Sequence, residues 1–390
     1  MRVVITGIGA VTPLGVNLQE TWEAVLKGKS GIALCSRIDT SSLPYKLAGE
    51  VNTERLKGFF TEKQLKRLDP FVQYAVVSAV EAVKDARTEL PPDTAIIIGT
   101  SRAGVTFIEQ ALGSSRFSSY LMPATTANMA CSQVAEELNL KGESMAVSAA
   151  CASGAMALME AYRLIRSGYA KVALAGASDA PITRLCLEGY GKTGVLSKQD
   201  TPEASRPFDR RRDGFVLSEG ACIMVLEELE RAEKRGARIY AEVLSAECLT
   251  SRSGQTRPDK EDEIEVMRRA LVRANTEPGE IKLVNAHATS TQLGDRVEAE
   301  AITELFGEGV YVTANKSQTG HMLGASSALE IALSALSIHQ GVIPPTINTT
   351  EPELKINILS EPLEAPVGKV LKNSFGFGGV NVAVVLGCRV

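Results

Sequence analysis

Short apolar runs rich in β-branched residues alternate with helix-patterned stretches along nearly the whole 390-residue chain. An apolar run without polar alternation is a strand buried on both faces, and helices between such strands supply the cover. The pattern therefore predicts an α/β fold with a largely parallel sheet. Strands are expected at Val3 to Thr6, Ala95 to Gly99, Met145 to Ala149, Val172 to Ala175, Cys222 to Leu226, Ile281 to Ala286 and Val310 to Thr313. Two more, Lys369 to Phe375 and Asn381 to Leu386, flank a glycine turn and read as a tight pair. Helix starts are marked by caps. Thr61 with Gln64 makes a capping box, Asp69-Pro70 supplies an N-cap and first-turn proline, and Asp295 with Glu298 is a second box ahead of a helix ended by Gly307. The polar stretch from Thr250 to Asp262 breaks the apolar rhythm. It is expected to be a surface insertion close to a boundary that divides the chain into residues 1–240 and 241–390.

Composition removes several classes of function. Lys and Arg number 42 against 46 Asp and Glu, a net charge of −4 that repels nucleic acid and anionic lipid. Seven cysteines with no CxxC pair fit neither a disulfide framework nor a zinc site, so a reducing compartment and at most one working thiol are expected. Pro13 interrupts the first apolar run, which argues against a secretory leader, and the longest uncharged stretch, Ser144 to Met159, is too short to span a membrane. A cytoplasmic protein without membrane or nucleic-acid partners is the expectation.

Chemistry concentrates in three places. Cys151 stands between the strand-like run that ends at Ala149 and a helix closed by Gly168. A thiol on such a turn feels the positive end of the helix dipole, which favours the thiolate and sets backbone N–H groups near a developing oxyanion. Histidine is scarce. His287 follows a strand in Asn285-Ala286-His287-Ala288-Thr289-Ser290-Thr291, and His321 precedes the helix that runs to Gln340. Both lie where strands meet helix starts, the ligand-binding edge of α/β sheets. His339, near a helix end, reads as an ordinary polar residue. Lys316 and Glu330 flank His321 in sequence, and Asn373 to Gly379 combines glycines that let backbone approach a ligand with two movable apolar walls, Phe375 and Phe377. Two nucleotide motifs fail: Gly7-Ile8-Gly9 has Thr12 where a third glycine belongs, and Gly191-Lys192-Thr193 has Cys186 where a P-loop needs glycine.

Cys151, His287 and His321, in that order and those contexts, resemble the elongating β-ketoacyl-acyl-carrier-protein synthases of the thiolase superfamily, closest to the synthase II class. The resemblance runs from Val3-Val4-Ile5-Thr6-Gly7-Ile8-Gly9 through Ser205-Arg206-Pro207-Phe208-Asp209 to the loop ending at Gly379, almost the whole chain. It implies a thiolase fold of two similar α/β halves in five αβαβα layers, the first carrying the nucleophile and the second the histidine pair and gating loop. It implies that Cys151 accepts the acyl group, that His287 and His321 form the histidine pair supported by Lys316 and Glu330, and that Phe377 shares the oxyanion hole with Cys151 in a gate formed with Phe375, Gly378 and Gly379. Thr289 and Thr291 match pantetheine contacts, Lys63, Lys66 and Arg67 match a basic carrier-docking segment, and Arg102 falls in the segment that lines the acyl pocket. There, Arg102 either turns to a partner such as Glu109 or shortens the pocket.

The implied activity is decarboxylative Claisen condensation of an acyl chain with malonyl-acyl-carrier protein in fatty-acid elongation. The implied enzyme is a homodimeric acyltransferase without cofactor or metal, its substrates borne on carrier phosphopantetheine. The alternative is a ketosynthase of polyketide or other secondary metabolism. Three rivals fare worse. A thiolase places a second cysteine where His321 stands, a chain-length-factor scaffold lacks the nucleophile, and a cysteine hydrolase needs water that the apolar loop excludes. The chain departs from the family at Ala288 and Ser218, where glycine is usual, at Ser101-Arg102-Ala103, where a glycine-rich stretch is usual, and in the segment from Thr250 to Asp262.

Overall fold

The computed structural model describes residues 1–390 apart from 115, 116, 253, 255, 256 and 390. Ten strands carry the architecture: β1 (Val3–Val11), β2 (Ala95–Gly99), β3 (Ser144–Val147), β4 (Val172–Asp179), β5 (Gly220–Glu228), β6 (Ala241–Thr250), β7 (Leu283–Asn285), β8 (Tyr311–Thr313), β9 (Lys369–Gly376) and β10 (Val380–Gly387). They pair in the order β8-β7-β9-β10-β6-β1-β5-β4-β2-β3, with Asn357–Ile358 beyond β8. The order repeats: adding five to each label of β3-β2-β4-β5-β1 gives β8-β7-β9-β10-β6. Directions repeat as well. β2 is parallel to β3 and β4, as β7 is to β8 and β9, while β5 and β10 run antiparallel to both of their neighbours. Pairing of β1 with β6, Val3 opposite Val243, joins the two sets into one eleven-stranded sheet.

Six helices cover it: α1 (Pro70–Ala86), α2 (Met129–Glu137), α3 (Ser153–Arg166), α4 (Lys260–Arg273), α5 (Gln292–Phe306) and α6 (Gly324–Gln340). α3 and α6 pack together and touch strands of both sets, forming the middle layer. α1 and α2 cover the outer face of the first set, α4 and α5 that of the second. These are the five expected layers. Of the 17 residues of α6, all but the last two are buried, because both of its faces meet core. Small residues permit the close contacts: a Cβ on Gly154 would lie 2.7 Å from the backbone N of Ala328, and Cβ atoms on Gly7 and Gly9 would lie 2.3 and 2.1 Å from carbonyl oxygens of α1. The glycines of the discarded nucleotide motif thus serve helix-on-strand packing.

Three expectations need correction. The sheet is mixed rather than largely parallel, because β1, β5, β6 and β10 make only antiparallel pairs at its centre. β6 follows the expected boundary and was not foreseen, because Glu242, Ser245 and Glu247 interrupt its apolar run. α5 begins at Gln292, a turn before the expected box. Asp295 and Glu298 therefore lie within the helix, buried, and their carboxylates point back at the preceding loop. The caps at Thr61 and Asp69 occur as expected.

Candidate active site

β3 ends at Val147, and the chain turns through Ala150, held at φ 47°, to place Cys151 just ahead of α3. Ser153 locks this turn, its Oγ accepting from the Ala149 N–H at 2.9 Å and donating to the Ala150 carbonyl at 2.6 Å. Burial opposes the helix dipole at this position. Burial pushes the Cys151 thiol up to about 11, outweighing the opposing pull of the Lys316 charge and the Phe377 N–H. That direction favours the thiol and makes a neighbouring proton acceptor important.

An imidazole stands beside the sulfur. His321 Nε2 lies 3.0 Å from Cys151 Sγ, and its Nδ1 lies 3.3 Å from Ser326 Oγ, which accepts from the Met322 N–H at 2.8 Å. A serine hydroxyl both donates and accepts, so either tautomer of His321 is served. The ring is wedged edge-on against Phe215 at 5.0 Å and lies 5.7 Å from the ring of His287. His287 is set by its backbone. Its N–H donates to Glu298 Oε1 at 2.7 Å, and its carbonyl accepts from Lys316 Nζ at 2.6 Å. The Ala288 and Ser290 N–H groups donate to Glu298 and Asp295. Burial and the facing Lys316 charge hold both imidazoles well below the usual histidine range.

The loop after β9 closes the site. The Phe377 N–H is turned toward the Cys151 sulfur and favours its anion, and Phe375 packs 5.8 Å from the His287 ring. Gly378 and Gly379 turn at φ 89° and 77°. Approach this close requires glycine at 376, where a Cβ would lie 2.6 Å from the Ala149 carbonyl oxygen. Gly376→Ala must push the loop off the nucleophile turn and is expected to slow acyl loading by about a hundredfold, measured as acyl-enzyme formation by rapid-quench mass spectrometry. Cys151, His287, His321, Thr289, Thr291 and Phe377 all line one cavity of about 370 Å³. Thr289 and Thr291 share a hydroxyl hydrogen bond of 3.1 Å on its wall.

Residues 1–232 match the family model described as the beta-ketoacyl synthase N-terminal domain, and residues 240–350 match its C-terminal domain. The chain belongs to the β-ketoacyl synthase family. Among curated relatives, it is 39% identical over 404 residues to the 3-oxoacyl-[acyl-carrier-protein] synthase 2 of Staphylococcus aureus (strain MRSA252), covering 99% of this chain and 98% of that one. Among solved structures, the ishigamide ketosynthase/chain length factor superposes with TM-score 0.93 at 34% identity, covering 100% and 99% of the two chains. A type II PKS ketosynthase in complex with its acyl-carrier protein, AntDE:AntF, gives 0.91 at 30% identity over 100% and 99%. The fold is therefore that of the ketosynthases, as expected.

Other expected site residues of this β-ketoacyl synthase lie apart from the cavity wall. Lys63 and Lys66 are exposed on the surface, and Arg67 stacks over Tyr120 at 4.0 Å. Arg102 does not use Glu109, which instead accepts from the Arg184 and Leu185 N–H groups. Its Nε donates to Tyr190 Oη at 2.8 Å, and Tyr190 lines the cavity. The segment from Thr250 to Asp262 is more than a surface insertion, because Ser251, Arg257 and Pro258 reach the cavity wall; its residues 253, 255 and 256 lie outside the described ones. Two of the family departures carry backbone strain: Ala288 sits at φ 23° and Ala103 at φ 44°, conformations that glycine adopts freely.

Buried charged residues around the site carry weaker signals in the sequence. Asp295 and Glu298 hold the His287 loop, and their signal was an acidic i,i+3 pair immediately after that loop. Glu263 on α4 lines the cavity with its Oε2 unpartnered, and burial beside Glu298 pushes its carboxyl well above the usual range. Lys372 is buried within β9; a lysine inside the run Val370-Leu371-Lys372 was the available sign.

Proposed function

We propose that this chain condenses an acyl group held on Cys151 with malonyl-acyl-carrier protein, giving β-ketoacyl-acyl-carrier protein and CO2 in fatty-acid chain elongation. The observation that carries the reading is one thiol with His321 Nε2 at 3.0 Å and a second imidazole, neutral like the first, facing the same cavity. Cys151 attacks the acyl thioester, its proton passes through His321 to the departing carrier thiolate, and the Cys151 and Phe377 N–H groups hold the oxyanion. The malonyl carboxylate then leaves as CO2. The bonding electron pair becomes an enolate that accepts hydrogen bonds from the two neutral imidazoles, attacks the acyl carbonyl and expels the Cys151 thiolate, which takes up one proton from solvent to restore the thiol. Supplying acyl-carrier and malonyl-carrier together is the test. Equal yields of β-ketoacyl-carrier and CO2 are expected, and free fatty acid as the sole product would contradict the assignment.

Thr289 and Thr291 hold the phosphopantetheine arm, and the protein supplies no cofactor of its own. Lys63, Lys66 and Arg67 dock the acidic carrier. Residues 1–240 form the half that brings the nucleophile, and 241–390 the half that brings the histidines. A homodimer fits the open edge of β3 and the exposed Leu112, Phe117, Met122 and Met145. A cytoplasmic location fits the seven free cysteines. A polyketide ketosynthase is the second reading, favoured by the likeness to the ishigamide and AntDE:AntF structures.

Arg102 bears on the choice of acyl chain. Its guanidinium ends at the Tyr190 hydroxyl and lies 5.1 Å from that ring, beside the apolar cluster that contains Cys151, Tyr190, Leu187 and Val105. A charge at this point disfavours a long alkyl chain reaching it. Arg102→Ile is expected to raise activity on long acyl-carriers relative to short ones, and an unchanged chain-length profile would refute the role.

A further inference from the structure

Two buried lysines bracket one carboxylate behind the histidine pair. Lys316 Nζ lies 2.6 Å from Glu330 Oε1, and Lys372 Nζ lies 2.9 Å from Glu330 Oε2. All three side chains are essentially inaccessible, at 1%, 0% and 2% exposure. Lys316 and Lys372 thus share Glu330, and the field of Glu298 also reaches Lys372, so two ammonium groups and two carboxylates form one buried cluster. Glu298 also accepts from the N–H groups of His287 and Ala288 and the amide of Asn373, which ties the cluster to the His287 loop. Glu330 Oε2 meets Lys372 as an ion pair without a hydrogen bond, and the Oδ1 atoms of Asn285 and Asn373 and the Oγ of Ser374 are likewise buried without hydrogen-bond partners. Burying a second ammonium in a core is costly even when it is paired, and clusters of this kind gather at functional sites.

We propose that Lys372 is a positioning residue of the condensing site. It fixes Glu330 against Lys316, which grips the His287 carbonyl, and gives the histidine pair a positive surround that keeps both imidazoles neutral and favours the anionic malonyl carboxylate and enolate. The inference rests on the condensing reading above. Electrostatics agree: the Lys372 charge acts on both His287 and His321 in the same direction as burial and Lys316. Lys372 is itself held down to about 8 by burial and the Lys316 charge, against the pull of Glu330 and Glu298. A lowered ammonium pKa means that the charge is present at neutral pH and lost as pH rises through about 8. The Cys151 thiol, at about 11, does not titrate in that window.

Malonyl-carrier decarboxylation by the wild type and by Lys372→Met, followed from about pH 6 to about pH 9.5 with Cys151 acylation read by intact mass, tests this. The wild-type rate is expected to fall as pH rises through about 8. Lys372→Met is expected to be slower by about tenfold to a hundredfold at neutral pH, to lack that alkaline fall, and still to load acyl groups. A variant that keeps the wild-type pH profile, at any rate, would overturn the role. Should Lys372→Met not fold, Lys372→Gln takes its place, and a wild-type profile flat from about pH 7 to about pH 9 overturns the role without any variant. A wild type that decarboxylates nothing would instead overturn the condensing reading.

Discussion

Cys151→Ala should end covalent acylation and reduce condensation by about ten-thousandfold or more, because the intermediate has no other place to form. The other thiols are not substitutes. Cys186 shares the apolar cluster around Cys151, but burial pushes its thiol up and its backbone N–H is tied to Thr183 in a helix cap, with no imidazole beside it. Cys131 and Cys222 are buried in the core, and Cys388 is exposed. Incubation with acyl-carrier followed by intact-protein mass spectrometry should show the acyl adduct on wild type alone, and an adduct on the alanine variant would contradict the assignment. Cys151→Gln separates the two half-reactions. It should lose loading and keep malonyl decarboxylation, since the histidines, Lys316 and Glu330 are untouched.

Replacing either histidine by alanine should cost about a hundredfold in decarboxylation, the worth of about 3 kcal/mol for one oriented donor to a developing oxyanion. The two variants should differ in the first half-reaction. His321 Nε2 contacts Cys151 Sγ, so His321→Ala should also slow acyl loading, whereas His287→Ala should leave loading near the wild-type rate. Losses in the double variant should not add, because both imidazoles serve one oxygen. The pH dependence has a definite sign. Both imidazoles are held well below the usual value of 6.5, so decarboxylation should stay flat as pH falls through the ordinary histidine range. A fall centred near pH 6.5 would show that an imidazole is charged in the resting site.

The fold was legible because its signals are local: apolar strand runs, the Asp69-Pro70 cap and the glycine turn before β10 each specify their own geometry. β6 hid because a strand that pairs on both edges tolerates Glu242 and Glu247 where these find Arg2 and Arg273 across the surface. The nucleophile and the histidines stood out by rarity and by position at element ends. Their support did not. Asp295 and Glu298 look like a helix cap in sequence, and only the earlier start of α5 turns them toward the His287 loop. Lys372 looks like an edge-strand cation until β9 is placed between β7 and β10, which buries it against α6. Arg102 left two outcomes open, and Tyr190, 88 residues away, was its partner. Contacts between distant segments, which no local pattern encodes, account for each miss.

The most direct measurement starts from acyl-enzyme, isolated free of acyl-carrier with its adduct mapped to Cys151, in a single turnover with malonyl-carrier labelled at the carboxyl carbon. The predicted result is one labelled CO2 and one β-ketoacyl-carrier per acyl group lost from Cys151, with no label in the product. Release of the acyl group as free acid, or product that retains the label, would contradict decarboxylative condensation at this site.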